Sequence, residues 1–298
     1  MPFACRALVL VSGWAVAAAA APPEFVVEGV PVSSPLRAKL EAEAARAYAS
    51  AQPWFDVRLE RPVTIRWAAD AGDLGPIARD NPGAVAGVAI PGEDRILLSA
   101  QALGARPQRI ASVLEHEICH LLFARATTGA EVSPPRWLDE GIAMWRSGEW
   151  DLGLEWRARD SSLLEDAAAA GTLLRFRDLD SSFPSGPFFH VAYAQSHSFV
   201  EWLVRQDGDA ELRRLVQVLG EDVDPEPAFR QVYGRSLADA EREWRGALGR
   251  GGWLRFLPSG GTLVTILWVG LGILVIGKFV RTRIRLRRTR DELGDGWE

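Results

Sequence analysis

The chain has 298 residues, enough for one substantial domain with room for small additions. Its net charge is −5 at pH 7, and an acidic balance argues against direct binding to polyanions, nucleic acid included. Of its two cysteines, Cys5 lies in an N-terminal leader, so removal of that leader leaves Cys119 without an intramolecular disulfide partner.

Met1 to Ala21 carries one early charge at Arg6, an apolar run and an alanine-rich end, the pattern of a secretory signal peptide over residues 1–21. Residues 24 to 33 read as extended before a turn at Pro31. Leu36, Leu40, Ala44, Ala47 and Tyr48 recur at helical spacing, which predicts a helix to about Ala51. Together residues 22–59 form an N-terminal extended segment and helix. Arg61 to Trp67 alternates through Val63, Ile65 and Trp67 as a half-buried strand does, and Ala69 to Gly83 is rich in loop formers. Val85 to Ile90 and Arg95 to Ser99, separated by Pro91-Gly92-Glu93-Asp94, carry the signal of a β-hairpin.

Pro107 suits the first turn of a helix whose positions Ile110, Val113, Leu114, Glu117, Ile118 and Leu121 follow at helical spacing. Pro135 opens a second helix, to about Trp145. Ser161 to Ala170 is a short helical piece, and a loop from Ser181 to Pro187 leads into a clear helix from His190 to about Arg205. Three more helical stretches, Ala210 to Leu219, Pro225 to Tyr233 and Leu237 to Leu248, are broken or capped by Gly220, Gly234 and Gly249.

Beyond a linker at 249–260, residues 261–280 form an apolar run of bilayer-spanning length with Lys278 as its only charge. Six arginines follow between Arg281 and Arg290. Basic flanks stay cytoplasmic, so the sequence predicts a single-pass membrane protein. Its transmembrane helix is 261–280, its basic tail 281–298 is cytoplasmic, and its main domain is periplasmic or extracellular. The arginines lack the aromatic interleaving of a nucleic-acid patch, and anionic lipid headgroups account for them.

The stretch that carries chemistry is His116-Glu117-Ile118-Cys119-His120. Histidines four residues apart on a helix point the same way and can share one metal ion. This is the H-E-x-x-H arrangement, in which two imidazoles hold Zn2+ and the glutamate handles the proton of a metal-bound water. A catalytic zinc needs a third ligand and an open position. Glu140 is the candidate, inside Pro135-Arg136-Trp137-Leu138-Asp139-Glu140-Gly141-Ile142-Ala143. The helix could instead carry one core and one surface histidine. Cys119 turns away from the i, i+4 face and reads as a small buried hydrophobe.

The pair H-E-I-C-H and W-L-D-E-G-I-A resembles the gluzincin metallopeptidases, the thermolysin-like superfamily, and is similar in particular to a bacterial group of membrane-associated peptidase MA-like domains. The resemblance covers roughly residues 60 to 248. It implies an α+β, zincin-like metallopeptidase over 60–248, with an N-terminal sheet, an active-site helix and a helical C-terminal lobe. It also implies Zn2+ held by His116, His120 and Glu140, with a peptide or protein as substrate. Glu117 is then the general base, and a tyrosine or histidine downstream is the oxyanion donor, Tyr193 first and His190 second, unless Tyr193 is simply a core or boundary aromatic. A strand ahead of the motif helix would either pair with an extended peptide, as in the families it resembles, or be an ordinary strand of the sheet. The aspartate that better-known members place one turn after the third ligand is Met144 here. Asp139 could serve in its place, although its position on the helix points it elsewhere.

These readings together predict zinc-dependent peptide hydrolysis on the outer face of a bacterial cytoplasmic membrane. The alternatives are a membrane-anchored binding or assembly domain on an inactive peptidase fold, and a metallohydrolase acting on another bond. Oligomeric state is open.

Overall fold

A computed structural model describes residues 22–29, 32–69, 71–80, 85–104, 106–148 and 163–252. Its sheet has four strands, β1 (Phe25–Gly29), β2 (Val63–Ala68), β3 (Gly87–Ile90) and β4 (Arg95–Ser99), in the order β1-β2-β4-β3. β1, β2 and β4 are parallel and β3 runs antiparallel to β4. A parallel pair needs a crossover, and helix α1 (Ser34–Phe55) supplies it between β1 and β2. Alternation sets the faces. Val63, Ile65 and Trp67 of β2 are buried, while Arg66 is exposed.

The β3–β4 hairpin turns through Pro91–Glu93 and closes on Asp94, whose φ of 46° lies in the left-handed region. Aspartate tolerates that conformation better than most residues. Arg61 donates to its carboxylate at 2.6 Å. The predicted loop after β2 is more ordered than its composition indicates. It contains a 3-10 turn at Ala71–Leu74 and the short helix α2 (Pro76–Asp80).

After the short helix α3 (Ala100–Gly104) comes the motif helix α4 (Ile110–Ala126), against which α1 packs. The buried stripe of α1 runs through Leu40, Ala44, Ala47, Tyr48, Ala51, Trp54 and Phe55. On its other side α4 meets α5 (Arg136–Ser147), and α5 in turn lies against the long helix α7 (Pro187–Asp207), with a short helix α6 at 163–169 between them in sequence. Helices α8 (Asp209–Gly220), α9 (Pro225–Tyr233) and α10 (Leu237–Gly252) complete the described chain.

Trp137, Phe176, Phe199 and Trp244 form an aromatic cluster that ties α5, α7 and α10 together, with ring centroids 4.2 to 5.8 Å apart. Gln195, fully buried on α7, satisfies its amide on one neighbour: Oε1 accepts from the Leu174 N–H at 2.8 Å and Nε2 donates to the Leu174 carbonyl at 2.9 Å.

The fold is α+β, with a mixed four-stranded sheet and several helices. The expected membrane helix is corrected here. Among the described residues no helix is long and apolar enough to cross a membrane. The segment 261–280 that motivated the expectation lies outside them, as do the leader 1–21 and the tail 281–298. The described structure thus gives no support to single-pass topology, membrane anchoring or an outer-face location.

One contact sets the helix spacing around the site. A Cβ added to Gly141 of α5 would lie 2.6 Å from the Ser196 carbonyl oxygen and 2.6 Å from Val200 Cγ2, both on α7. Only glycine permits that approach. Gly141→Ala is expected to destabilise the protein by about 1–3 kcal/mol through overpacking, measured by urea unfolding.

Candidate metal centre

Helix α4 presents His116 and His120 one turn apart, with ring centroids 4.7 Å apart at 79°. Helix α5 brings Glu140 across both. Its Oε2 is 3.5 Å from Nε2 of His116 and 3.5 Å from Nε2 of His120. One ligand atom from each of the three residues can be chosen so that all lie within 4.8 Å of one another, and this is the metal-binding cluster found among the described residues.

The surroundings fit a metal ion. Glu140 is 4% exposed, and its buried Oε2 accepts no hydrogen bond. The two imidazole Nε2 atoms that face this buried oxygen are at 3.5 Å, longer than a normal hydrogen bond, and a cation shared by the three groups satisfies it more fully. Two nitrogens and one oxygen are also an ordinary ligand set for a catalytic transition-metal site. The cluster is capable of coordinating a metal ion.

Asp139 takes a place that its position on the helix did not foretell. Its Oδ1 lies 2.7 Å from His120 Nδ1. Adjacent helix positions diverge by about 100°, yet the two nitrogens of an imidazole face opposite ways. Asp139 therefore reaches one edge of His120 while Glu140 faces the other. A proton on Nδ1 held by Asp139 leaves the Nε2 lone pair for a metal. Met144, one turn after Glu140, is fully buried in the core.

Charge reinforces this arrangement. Burial alone lowers the pKa of His120, but the carboxylates of Asp139 and Glu140 outweigh it and hold the imidazole well above its usual range. Burial raises the pKa of Glu140, but His120, His116 and Arg136 outweigh it and hold the carboxyl well below the usual carboxylate range. A metal at His120 competes with a proton for the ring nitrogen, so metal affinity rises with pH.

Glu117 is buried beside the cluster on α4, under strand β3. A Cβ at Gly87 would lie 2.7 Å from Glu117 Oε1, 2.9 Å from its Cγ and 2.9 Å from Val113 Cγ1. Cys119 is buried in the core, and desolvation pushes its thiol far above the ordinary range, so it stays protonated. It is neither a thiolate ligand nor a nucleophile.

Tyr193 of α7 donates its hydroxyl to Glu140 Oε1 at 3.2 Å. Its ring is held between Phe183, at 4.8 Å, and Phe189, at 4.7 Å. Burial and the Glu140 charge raise its pKa well above the usual phenol value, so the hydroxyl remains a donor. His190 is exposed and packs on Phe189 instead. Arg136 was not singled out in the sequence, and it donates to Glu140 Oε1 at 2.9 Å. The signal was present: Arg136 and Glu140 stand at i, i+4 on one helix.

Asp139→Asn keeps the shape but removes the charge that holds His120. The affinity for a divalent metal, measured by competition with a chelator, is expected to fall by about 10- to 100-fold while the thermal melt of the metal-free protein still shows a folded chain.

Residues 45–249 match the model of the Peptidase MA superfamily. No curated protein matches the chain. The match spans well over half of the sequence and contains α4, α5 and α7 entire, with every residue of the cluster. The chain belongs to the Peptidase MA superfamily.

Proposed function

We propose that the protein is a zinc-dependent hydrolase with the chemistry of a gluzincin-type metallopeptidase. The observation that carries the reading is the convergence of two Nε2 atoms on the one Glu140 oxygen that accepts no hydrogen bond, with Glu117 alongside. His116, His120 and Glu140 would hold the ion. Zinc held there would supply a water of lowered pKa and a Lewis acid for the carbonyl. Glu117 takes the proton from the attacking water and passes it to the departing amine, as base and then acid. The Tyr193 hydroxyl donates to the negative charge that develops on the carbonyl oxygen. Asp139 keeps His120 turned with Nε2 toward the ion.

An extended peptide is the substrate form that the sheet favours. β3 is an edge strand, and an edge can accept a further strand through its backbone. It passes directly over Glu117 at Gly87, so a peptide paired with β3 would run beside the base.

A second reading is a metal-holding domain used for binding or assembly without turnover. It draws on the depth of the site, since His116, Glu117 and Glu140 are all buried. A third is hydrolysis of a bond other than an amide, by the same base and metal.

The separating experiment is cleavage of a diverse peptide mixture by the zinc-loaded protein, beside Glu117→Gln and a chelator-treated sample. The expected outcome is cleavage that chelation abolishes. Glu117→Gln should retain zinc while turnover falls by about 10²- to 10⁴-fold. Zinc bound with no cuts in any sample would favour the binding reading. Gly87→Ala, which crowds Glu117 without changing a ligand, is expected to lower kcat by at least about tenfold at unchanged zinc content, since misplacing a catalytic group by about 1 Å can cost 10²-fold.

A further inference from the structure

The two oxygens of Glu140 have different surroundings. Oε2 faces both imidazoles at 3.5 Å and accepts no hydrogen bond. Oε1 accepts from two other donors, Arg136 Nη2 at 2.9 Å and the Tyr193 hydroxyl at 3.2 Å. The guanidinium is itself held in place. It lies over the Phe183 ring, 5.4 Å from its centroid, and the Arg136 backbone N–H donates to the Asp180 carbonyl at 2.7 Å. Phe183 stands edge-on to Tyr193, so both donors to Oε1 rest on the same ring.

We propose that Arg136 is a positioning residue for Glu140: it occupies Oε1 and so restricts the carboxylate to one-oxygen coordination of the metal. A carboxylate can bind a cation through one oxygen or through both. Two-oxygen binding here would fill the coordination position that a catalytic site keeps open for water. Arg136 prevents it by holding Oε1 in a charge-assisted hydrogen bond. Tyr193 alone could not do so throughout the reaction, because donating to a carbonyl oxygen requires its hydroxyl to leave Oε1. Arg136 stays on Oε1 through that exchange. The ion pair thus has a reason beyond stability. This inference rests on the metal-dependent reading above.

The test uses the full chain loaded with Co2+, whose visible absorption is strong in four-coordinate sites and weak in five- or six-coordinate ones. Wild type is expected to absorb strongly. Arg136→Met should bind Co2+ with weaker bands shifted to shorter wavelength, because Glu140 closes on the metal with both oxygens. With zinc in place of cobalt, its turnover should fall by about 10- to 100-fold. Should Arg136→Met fail to fold, as judged by circular dichroism, Arg136→Leu is read in its place, since its side chain also has no donor for Oε1. Bands identical to wild type in a folded Arg136 variant overturn the inference and leave the metal reading intact. Absence of Co2+ binding in wild type, with His116→Ala no different, overturns both.

Discussion

A carboxylate kept charged inside the core is the constraint on which the site depends. Removing an ionised group from water costs several kcal/mol even after the protein relaxes, and only well-placed partners offset it. Glu140 has such partners on both sides: two imidazoles toward Oε2, and Arg136 with the Tyr193 hydroxyl on Oε1. His120 is in turn set between Asp139 and Glu140. The groups alternate in sign, from Asp139 through His120 and Glu140 to Arg136.

Holding the alternation requires helices that cannot drift. Helix α4 is packed by α1 on one flank, α5 on the other and β3 above Glu117. Two glycines make the closest approaches possible, Gly141 where α5 meets α7 and Gly87 where β3 meets α4. The aromatic cluster of Trp137, Phe176, Phe199 and Trp244 then fixes the relation of α5 to α7, and with it the reach of Tyr193 to Glu140. Packing and chemistry share residues here. Trp137 stands three positions before Glu140 and faces the core on the same helix.

Membership of the Peptidase MA superfamily fits this division of labour: a motif helix carries two imidazoles and a carboxylate, and the following helix carries the third candidate ligand. The expectation of a membrane anchor rested on residues 1–21 and 261–298, which lie outside the described residues. Within the described residues no helix has the length and apolar character for crossing a bilayer. The chemistry of the centre does not depend on that question, because every group in it lies between Gly87 and Tyr193.

Much of the centre was legible in the sequence because its signals are local. Two histidines at i, i+4 share a face in any helix, and the glutamate between them must lie beside that face. Helix starts at Pro107 and Pro135 and the hairpin at Pro91-Gly92-Glu93-Asp94 follow from backbone preferences of a few residues. The partner of His120 was not legible in that way. Asp139 and Glu140 diverge on their own helix, and only the crossing of α5 over α4 brings them to opposite edges of one imidazole. The same crossing gives Glu140 one oxygen for the histidines and one for Arg136. Sequence alone determined which residue types could meet a metal, since spacing on a single helix decides that. Tertiary structure decided which nitrogen and which oxygen face each other, since those directions depend on how two helices pack.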